Sequence, residues 1–484
     1  MQLSEHLETN LAVLNARLGS SADFYAKRIE LYHCRCAILL FDGMASLESL
    51  WELLLDAASR QTPPLRLGQS HPSGEDVYEL LSQHSALPAE STPVEDWENL
   101  MQRLTAGMAV LLLNGCAKGL AFSVQSLKFR SVEEPSGEGN IRGSREGFSD
   151  LLRVNLSLLR RLIRTDALVM EVQPADCTMK TEYAVCYWKG KASPAAVEQV
   201  KEMLQQADPQ LLLDSSYFVP WLFPCRLRTL APVSYTERPM VASAKLSEGK
   251  IVVLVNGSPS ALILPVLFCE NFECLDDYAQ PAFFASFLRI LKYSAFYLSI
   301  FLPGVFVCLA VYLPELIPPQ LLYKIEAAER ATPLPLFGEM MLVILLLEIV
   351  REAGLRMPQT LGHSVSLVAA IIIGDAAIAA GLMSTPVILI AAVASIAVFV
   401  VPSLYEAATS LRLLILLAAG IAGPVGLAGA SLTVLFALTR VSALGIPYCT
   451  PVPFPQMKLS QDGVTRKNYR ALSQNPFAVW QKRG

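Results

Sequence analysis

The pattern of apolar and polar positions changes character along the chain. Up to about residue 280, short apolar runs alternate with amphipathic stretches and polar turns. Periods near 2 and 3.6 succeed one another, as in an α/β protein. From about 292 to 440 Leu, Ile, Val, Ala and Gly dominate, and 441–484 turns polar and basic again. The pattern predicts an α/β cytoplasmic region followed by an α-helical polytopic membrane domain. Candidate spans are 293–313, 336–350, 361–381, 386–405 and 411–439. A spanning helix takes about 20 residues. The second candidate is therefore short, and is tilted, re-entrant or extended by its flanks. The last is long and interrupted by "AGIAGPVGLAG" (419–429). It reads as one kinked span or as two half-helices that return to the same side. Broken backbone is tolerated at depth only where protein or water satisfies it.

Within the first half lies a weak repeat. "AILLFDGMASLESLWELLLDA" (37–57) resembles "AVCYWKGKASPAAVEQVKEML" (184–204). Each has an apolar strand, a Gly at the same offset, Ala-Ser, and an amphipathic helix that the Ser can cap. Each is followed by a strand and an Asn-Gly turn, "AVLLLNG" (109–115) and "VVLVNGSPSALIL" (252–264). Asn-Gly between apolar runs is a hairpin signal. Two related subdomains are expected, within 1–132 and 165–280. Between them, "EEPSGEGN" (133–140) has linker composition. In "SREGFSDLLRVNLSLLRRLIR" (144–164) apolar residues recur at helical spacing and Arg153, Arg160, Arg161 and Arg164 take other positions. This reads as a connecting helix with a solvated basic face, or as a docking helix on an anionic membrane or a partner. The segments 281–440 and 441–484 then form the membrane domain and a basic tail.

Composition agrees with this division. Only 17% of the 484 residues are charged, against about 25% in soluble proteins. A net charge of −4 gives no reason to expect nucleic acid. The ten cysteines contain no CxxC pair, and read as small packing residues in a reducing compartment. His33-Cys34-Arg35-Cys36 would need two further ligands for a zinc site, so no metal is expected. Residues 1–24 lack an apolar signal-peptide core, which places the first half in the cytoplasm by default. Phosphate-binding, zinc-protease and nucleophile-elbow motifs are absent from the sequence. The expectation is no enzyme, no catalytic residues and no cofactor.

Basic residues suggest orientation. Arg289 and Lys292 precede the first candidate span, Arg351 and Arg356 follow the second, and Arg412 opens the fifth. Arg440, Lys458, Arg466, Lys467 and Arg470 belong to the tail. All fall inside if 411–439 is a hairpin, giving four crossings plus a re-entrant or broken segment. The informative polar residues are Glu339, Glu348, His363 and Asp375. Glu339 and Glu348 can snorkel from the ends of a short helix, and Glu348 can pair with Arg351. His363 reads as interfacial. Asp375 has no such escape, and a mid-span carboxylate costs on the order of 2.5–3.5 kcal/mol on insertion scales. Beside it Ala370, Gly374, Ala377 and Gly381 form a stripe of small residues that lets helices approach. Asp375 then faces protein or water, either hydrogen-bonded to a neighbouring helix or lining an ion or solute path.

Several stretches resemble the GerA family, the A-subunits of spore germinant receptors and their sporulation paralogues. They are "SREGFSDLLRVNLSLLRRLI", "SYTERPMVASAKLSEGKIVVLVNGSP", "PAFFASFLRILKY", "PELIPPQLL", "REAGLRMP" and "GIPYCTPVPF", in that order. The motif residues include Arg145, Glu146, Gly147 and Phe148, then Thr236, Glu237, Arg238 and Pro239, and finally Pro314 and Glu315. The resemblance implies a multi-pass protein of the spore inner membrane with a cytoplasmic N-terminal region of two α/β subdomains. It implies assembly into a homo-oligomer and with a transporter-like B-subunit and a lipoprotein C-subunit. It also implies a germinant-gated, cation-conducting role. Met240, Asn256 and Gln280 stand where the family usually has Asp, Asp and Arg, and 327–335 lacks a usual Gly. "PELIPP" and "IIIGDAAIAAGL" are also similar to the stage V sporulation AF-type paralogue, an accessory channel. A secondary transporter component or a non-conducting scaffold is the reading from another class. Inverted membrane repeats would favour the transporter, and none is visible in the sequence.

Overall fold

A computed structural model describes residues 2–60, 72–83, 91–124, 138, 144–207, 209–223, 231–356, 374, 376–449, 463–468 and 470. They divide into two compact units, one within Met1–Pro224 and Val233–Pro265, the other within Cys225–Pro232 and Val266–Asn475.

The first unit holds two five-stranded sheets. Strands β1 (Phe24–Leu31), β2 (Cys34–Phe41), β3 (Ser91–Val94), β4 (Ala109–Leu113) and β5 (Gly119–Phe122) are ordered β1-β2-β4-β5-β3. Strands β6 (Leu168–Pro174), β7 (Glu182–Trp188), β8 (Ser234–Thr236), β9 (Ile251–Val255) and β10 (Ala261–Leu264) are ordered β6-β7-β9-β10-β8. The two orders are the same, and every pairing is antiparallel. Side chains alternate between the faces of a strand. Ile38, Leu40, Leu111 and Leu113 accordingly enter one apolar cluster. Leu39, Phe41, Val110 and Leu112 enter the other. Helices α1 (Leu7–Leu18), α2 (Leu47–Arg60), α3 (Gly74–Gln83) and α4 (Trp97–Thr105) supply the covering residues. A strand covered on both faces needs the continuous apolar run that "AILLF" and "AVLLL" provide.

The repeat extends to individual hydrogen bonds. Asn114 Oδ1 accepts from Leu7 N at 3.2 Å, and Asn256 Oδ1 accepts from Leu152 N at 3.1 Å. Leu7 and Leu152 are the first residues of α1 and of α5 (Leu152–Leu162). Asn10 and Asn155 then hold Ser4 and Ser149 by paired side-chain bonds. The glycine of each Asn-Gly turn has positive φ, 83° at Gly115 and 93° at Gly257, a conformation in which glycine carries no steric cost. By these contacts α5 is the counterpart of α1: the helix expected as a connector opens the second repeat. That repeat is completed by α6 (Pro194–Gln205), α7 (Val219–Leu222) and α8 (Pro239–Ser247). The two sheets are joined directly, since Ala22 N donates to Met170 O at 2.7 Å. The basic face expected on α5 is only partly solvated. Arg160 is buried, and it donates to Asp23 Oδ2 at 2.6 Å and Oδ1 at 2.9 Å.

The second unit is helical. Ala282–Tyr312 and Pro402–Arg440 are long and apolar enough to cross a membrane. Thr385–Val398 is a shorter apolar helix. The first helix begins at Ala282, eleven positions before the expected 293, because "AFFASFLRIL" has no breaker. Leu336–Arg356 has 21 residues, about 31 Å of helix, so the expected short segment 336–350 is extended by its polar flank. The expected span 386–405 ends early as a helix, at Val398, ahead of a 3₁₀ turn at Pro402–Leu404. Most of 361–381 lies outside the described residues. The interrupted segment turns back on itself. Gly423 has φ 57° and ψ −135° inside Tyr405–Arg440. A straight helix of that length would hold its ends about 54 Å apart. Instead Ser403, just before it, donates to Asn271 O at 3.3 Å, and Asn271 donates to Tyr448 Oη at 3.2 Å, just after it. Leu427, Ala430 and Val434 of the returning half pack against the cluster that holds Leu411 and Ile415.

Candidate functional site

Two separate polar sites lie along Leu336–Arg356 in the helical unit. Glu348 accepts from Arg412 Nη2 at 2.5 Å and from the Tyr405 hydroxyl, and Arg351 lies 3.7 Å away. The Arg351 guanidinium stacks on the Tyr405 ring, 3.2 Å from its centroid. Arg412 is 1% exposed and also reaches Ser395 Oγ at 3.4 Å. Two cations and a phenol thus converge on one carboxylate. The pairing with Arg351 was legible from the i, i+3 spacing. The stronger partner, Arg412, was not: in sequence it reads as an orientation charge, and it lies 64 positions away.

Glu339 does not snorkel. It is fully buried, and its chain neighbour Met340 and the neighbour of its partner Ser384, Met383, belong to one apolar cluster. One carboxylate oxygen accepts from Ser384 N, the N-cap of Thr385–Val398, and the other is buried with no hydrogen-bond partner. An acidic group at a helix N-terminus is favoured by the unpaired N–H groups and the helix dipole. The site therefore has one oxygen satisfied by the fold and one that the described residues leave open.

Asp375, His363 and Ala370 lie outside the described residues. Gly374 is partly buried, and Ala377 packs beside the cluster around Glu339. Gly381 lies beyond the short helix Ala377–Ala379 with φ 64°, so its small size serves a turn there.

The motif residues of the first unit meet one another. Phe148 N donates to Glu237 O at 2.7 Å. Arg238 is buried and donates to Ser144 O at 2.8 Å and to Glu138 O. Thr236 donates to Glu138 Oε2 at 3.0 Å, and Arg161 pairs with Glu146. Burial pushes the Glu138 carboxyl up, against the pull of the Thr236 hydroxyl and Arg238. Gly147 is buried, Arg145 is exposed, and Pro239 is the first residue of α8. Pro314 and Glu315 form a 3₁₀ turn after Ala282–Tyr312. These motifs build joints of the fold. Asn256 keeps the acceptor that an Asp would offer to Leu152 N. Met240 is exposed in the first turn of α8.

A further joint ties the tail to the first long helix. Arg289 donates to Asp277 Oδ2 at 2.9 Å, and Arg466 donates to Asp277 O and to Gln280 O. His33 lies in the β1–β2 turn with φ 65°, while Cys34 and Cys36 are buried in the apolar cluster. Burial pushes the Cys36 thiol up to about 12, which disfavours the thiolate a metal needs. Among the described residues no three His, Cys, Asp or Glu side chains are grouped to hold a metal.

Comparison with known proteins agrees with the resemblance read from the motifs. Spore germination protein KA of Bacillus subtilis (strain 168) is 30% identical over 484 residues, covering 99% of this chain and 87% of its own. Stage V sporulation protein AF of the same organism is 30% identical over 388 residues, covering 78% of each chain. A crystal structure of the N-terminal domain of the A subunit of the Bacillus megaterium spore germinant receptor GerK3 is similar at 20% identity and a TM-score of 0.42, covering 55% of this chain and 98% of that one. The family described as Bacillus/Clostridium GerA spore germination protein matches residues 12–478. The chain belongs to the GerA family of spore germination proteins.

Proposed function

We propose that this protein is the membrane subunit of a germination receptor that oligomerises into a germinant-gated cation channel. The observation that carries the reading is the buried carboxylate Glu339, with one open oxygen among apolar helices. A carboxylate in such surroundings is costly unless water, a cation or a partner meets it. Acidic side chains grouped around an axis attract cations and exclude anions. Asp375 is the second carboxylate assigned to that path, and Glu348, paired with Arg412, is the third acidic residue of the helical unit considered for it. In this reading the N-terminal region and the basic tail are cytoplasmic, the membrane is the spore inner membrane, and B- and C-type receptor subunits are the partners. The backbone reversal at Gly423 supports this topology, because it returns Arg440 to the side from which Tyr405 started.

The test is potassium flux from liposomes containing the purified protein, alone and with its partner subunits. Asp375→Asn keeps shape and removes charge, and Glu339→Gln does the same. Both are expected to lower cation flux or selectivity at unchanged protein level. Wild-type flux in both variants, with assembly lost in Asp375→Leu, would make these residues structural and remove the pore reading. Cysteines introduced after residue 455 test the topology: labelling only from the outer face contradicts a cytoplasmic tail.

A further inference from the structure

The duplication in the first unit provides an internal control for a second site. Phe41 ends β2 opposite Phe24, and Trp188 ends β7 opposite Leu168, so the two rings hold the same position. Gly43 and Gly190 follow with φ 76° and 86°, which makes Met44 and Lys191 counterparts. Gly107 and Gly249, both at φ 90°, follow α4 and α8, both nine residues long. Met101 and Ser243 are therefore counterparts as well.

In the first repeat this place is filled. Met44 is buried, Met101 packs against the same cluster, and the Arg160 guanidinium covers the Phe41 ring at 4.5 Å. In the second repeat Met becomes Lys191 and Ser243, and a cleft of about 350 Å³ opens. Its walls include Ile163, Arg164, Thr165, Trp188, Ser243 and Ser247. Lys191 Nζ lies 4.0 Å from the centre of the Trp188 ring and donates to Ser247 O at 2.9 Å. The hydroxyls of Thr165 and Ser247 are engaged by Asp166 and Ala244 O. Ser243 Oγ is buried and has no hydrogen-bond partner.

We propose that this cleft binds a small organic carboxylate with a planar apolar body. Its volume suits a small molecule, since such sites begin near 300 Å³. The ligand's body would lie against Trp188 and Ile163, where ring contact and apolar burial favour it. Its carboxylate would take the charge of Arg164, which lines the cleft, and of Lys191 beside Trp188, and charge-assisted bonds are the stronger kind. Inorganic phosphate offers the charge without the body and leaves the apolar wall uncovered. The assignment does not depend on whether the protein conducts ions.

Benzoate is the probe, titrated against the full chain in detergent and followed by saturation-transfer NMR and calorimetry. Wild type is expected to bind benzoate, and to bind neither benzylammonium nor phosphate comparably. Ser243→Met copies the first repeat and fills the cleft, so it should weaken benzoate at least about tenfold without lowering the melting temperature. Lys191→Met, also copied from the first repeat, should weaken it by removing charge, and serves if Ser243→Met does not fold. Absent benzoate binding by wild type overturns the proposal. So does equal binding of benzoate by the variants that fold, or equal binding of benzylammonium or phosphate.

Discussion

Tyr312 donates its hydroxyl to the carbonyl oxygen of Gly420 at 2.7 Å. The bond ties the end of Ala282–Tyr312 to the last turn before the Gly423 reversal. It satisfies a backbone acceptor where the helical ladder stops, as a broken helix in apolar surroundings requires. The same ring leaves no room at the turn, because a Cβ at Gly423 would lie 2.7 Å from it. Gly423→Ala is therefore expected to lower the melting temperature sharply, adding a steric clash to backbone strain of about 1–3 kcal/mol. Tyr312→Phe removes one hydrogen bond, about 1 kcal/mol, and should be milder. Thermal unfolding in detergent orders the two variants, and an Ala variant as stable as wild type would refute this account of the turn.

The two Asn-Gly turns act as helix caps at a distance. Asn114→Ala and Asn256→Ala should each destabilise the first unit by about 0.5–2 kcal/mol. Asn256→Asp retains the acceptor for Leu152 N and should be close to neutral. Urea unfolding of a fragment ending at residue 270 measures all three. A large loss in Asn256→Asp would show that the amide nitrogen, not the oxygen, matters at this position.

That fragment should also unfold in one transition. The sheets share the Ala22–Met170 bond and the buried Arg160–Asp23 pair, whose guanidinium also donates to Thr165 O and Leu168 O. Arg160→Ala leaves Asp23 buried without its partner, and breaking such a pair costs about 3–5 kcal/mol. The expected signature is a lower midpoint, with separation into two transitions as the sheets uncouple. An unchanged midpoint would mean that the pair holds nothing together.

These joints explain what the sequence disclosed and what it withheld. Strand β2 and strand β4 were legible because their apolar runs are local. The repeat was legible from Gly, Ala-Ser and Asn-Gly spacings, which fix turns within a few residues. The place of α5 was not, because its tie to Asn256 spans 104 positions and its likeness to α1 resides in one Ser–Asn spacing. Arg160, Arg238 and Arg412 were hidden for the same reason. A charge looks solvated or topological until its partner is known, and each partner comes from a distant segment.

Glu348 and Arg412 give the sharpest separation of structure from the proposed conduction. Arg412 is buried and Glu348 is partly so, with side-chain exposures of 1% and 23%. Removing one charge strands the other, so Glu348→Gln or Arg412→Met alone should destabilise by up to about 3–5 kcal/mol. The partial exposure of Glu348 and its neighbour Arg351 place its own loss at the lower end. The double variant removes both charges, and replacing a buried pair by apolar or neutral groups is often close to neutral. It should therefore recover much of the stability, and the coupling is the difference that a double-mutant cycle reports. Ion flux is measured on the same four proteins. If flux follows stability through the cycle, the pair is a strut. If the double variant is stable but conducts differently, the Glu348 charge acts on the permeating ion as well.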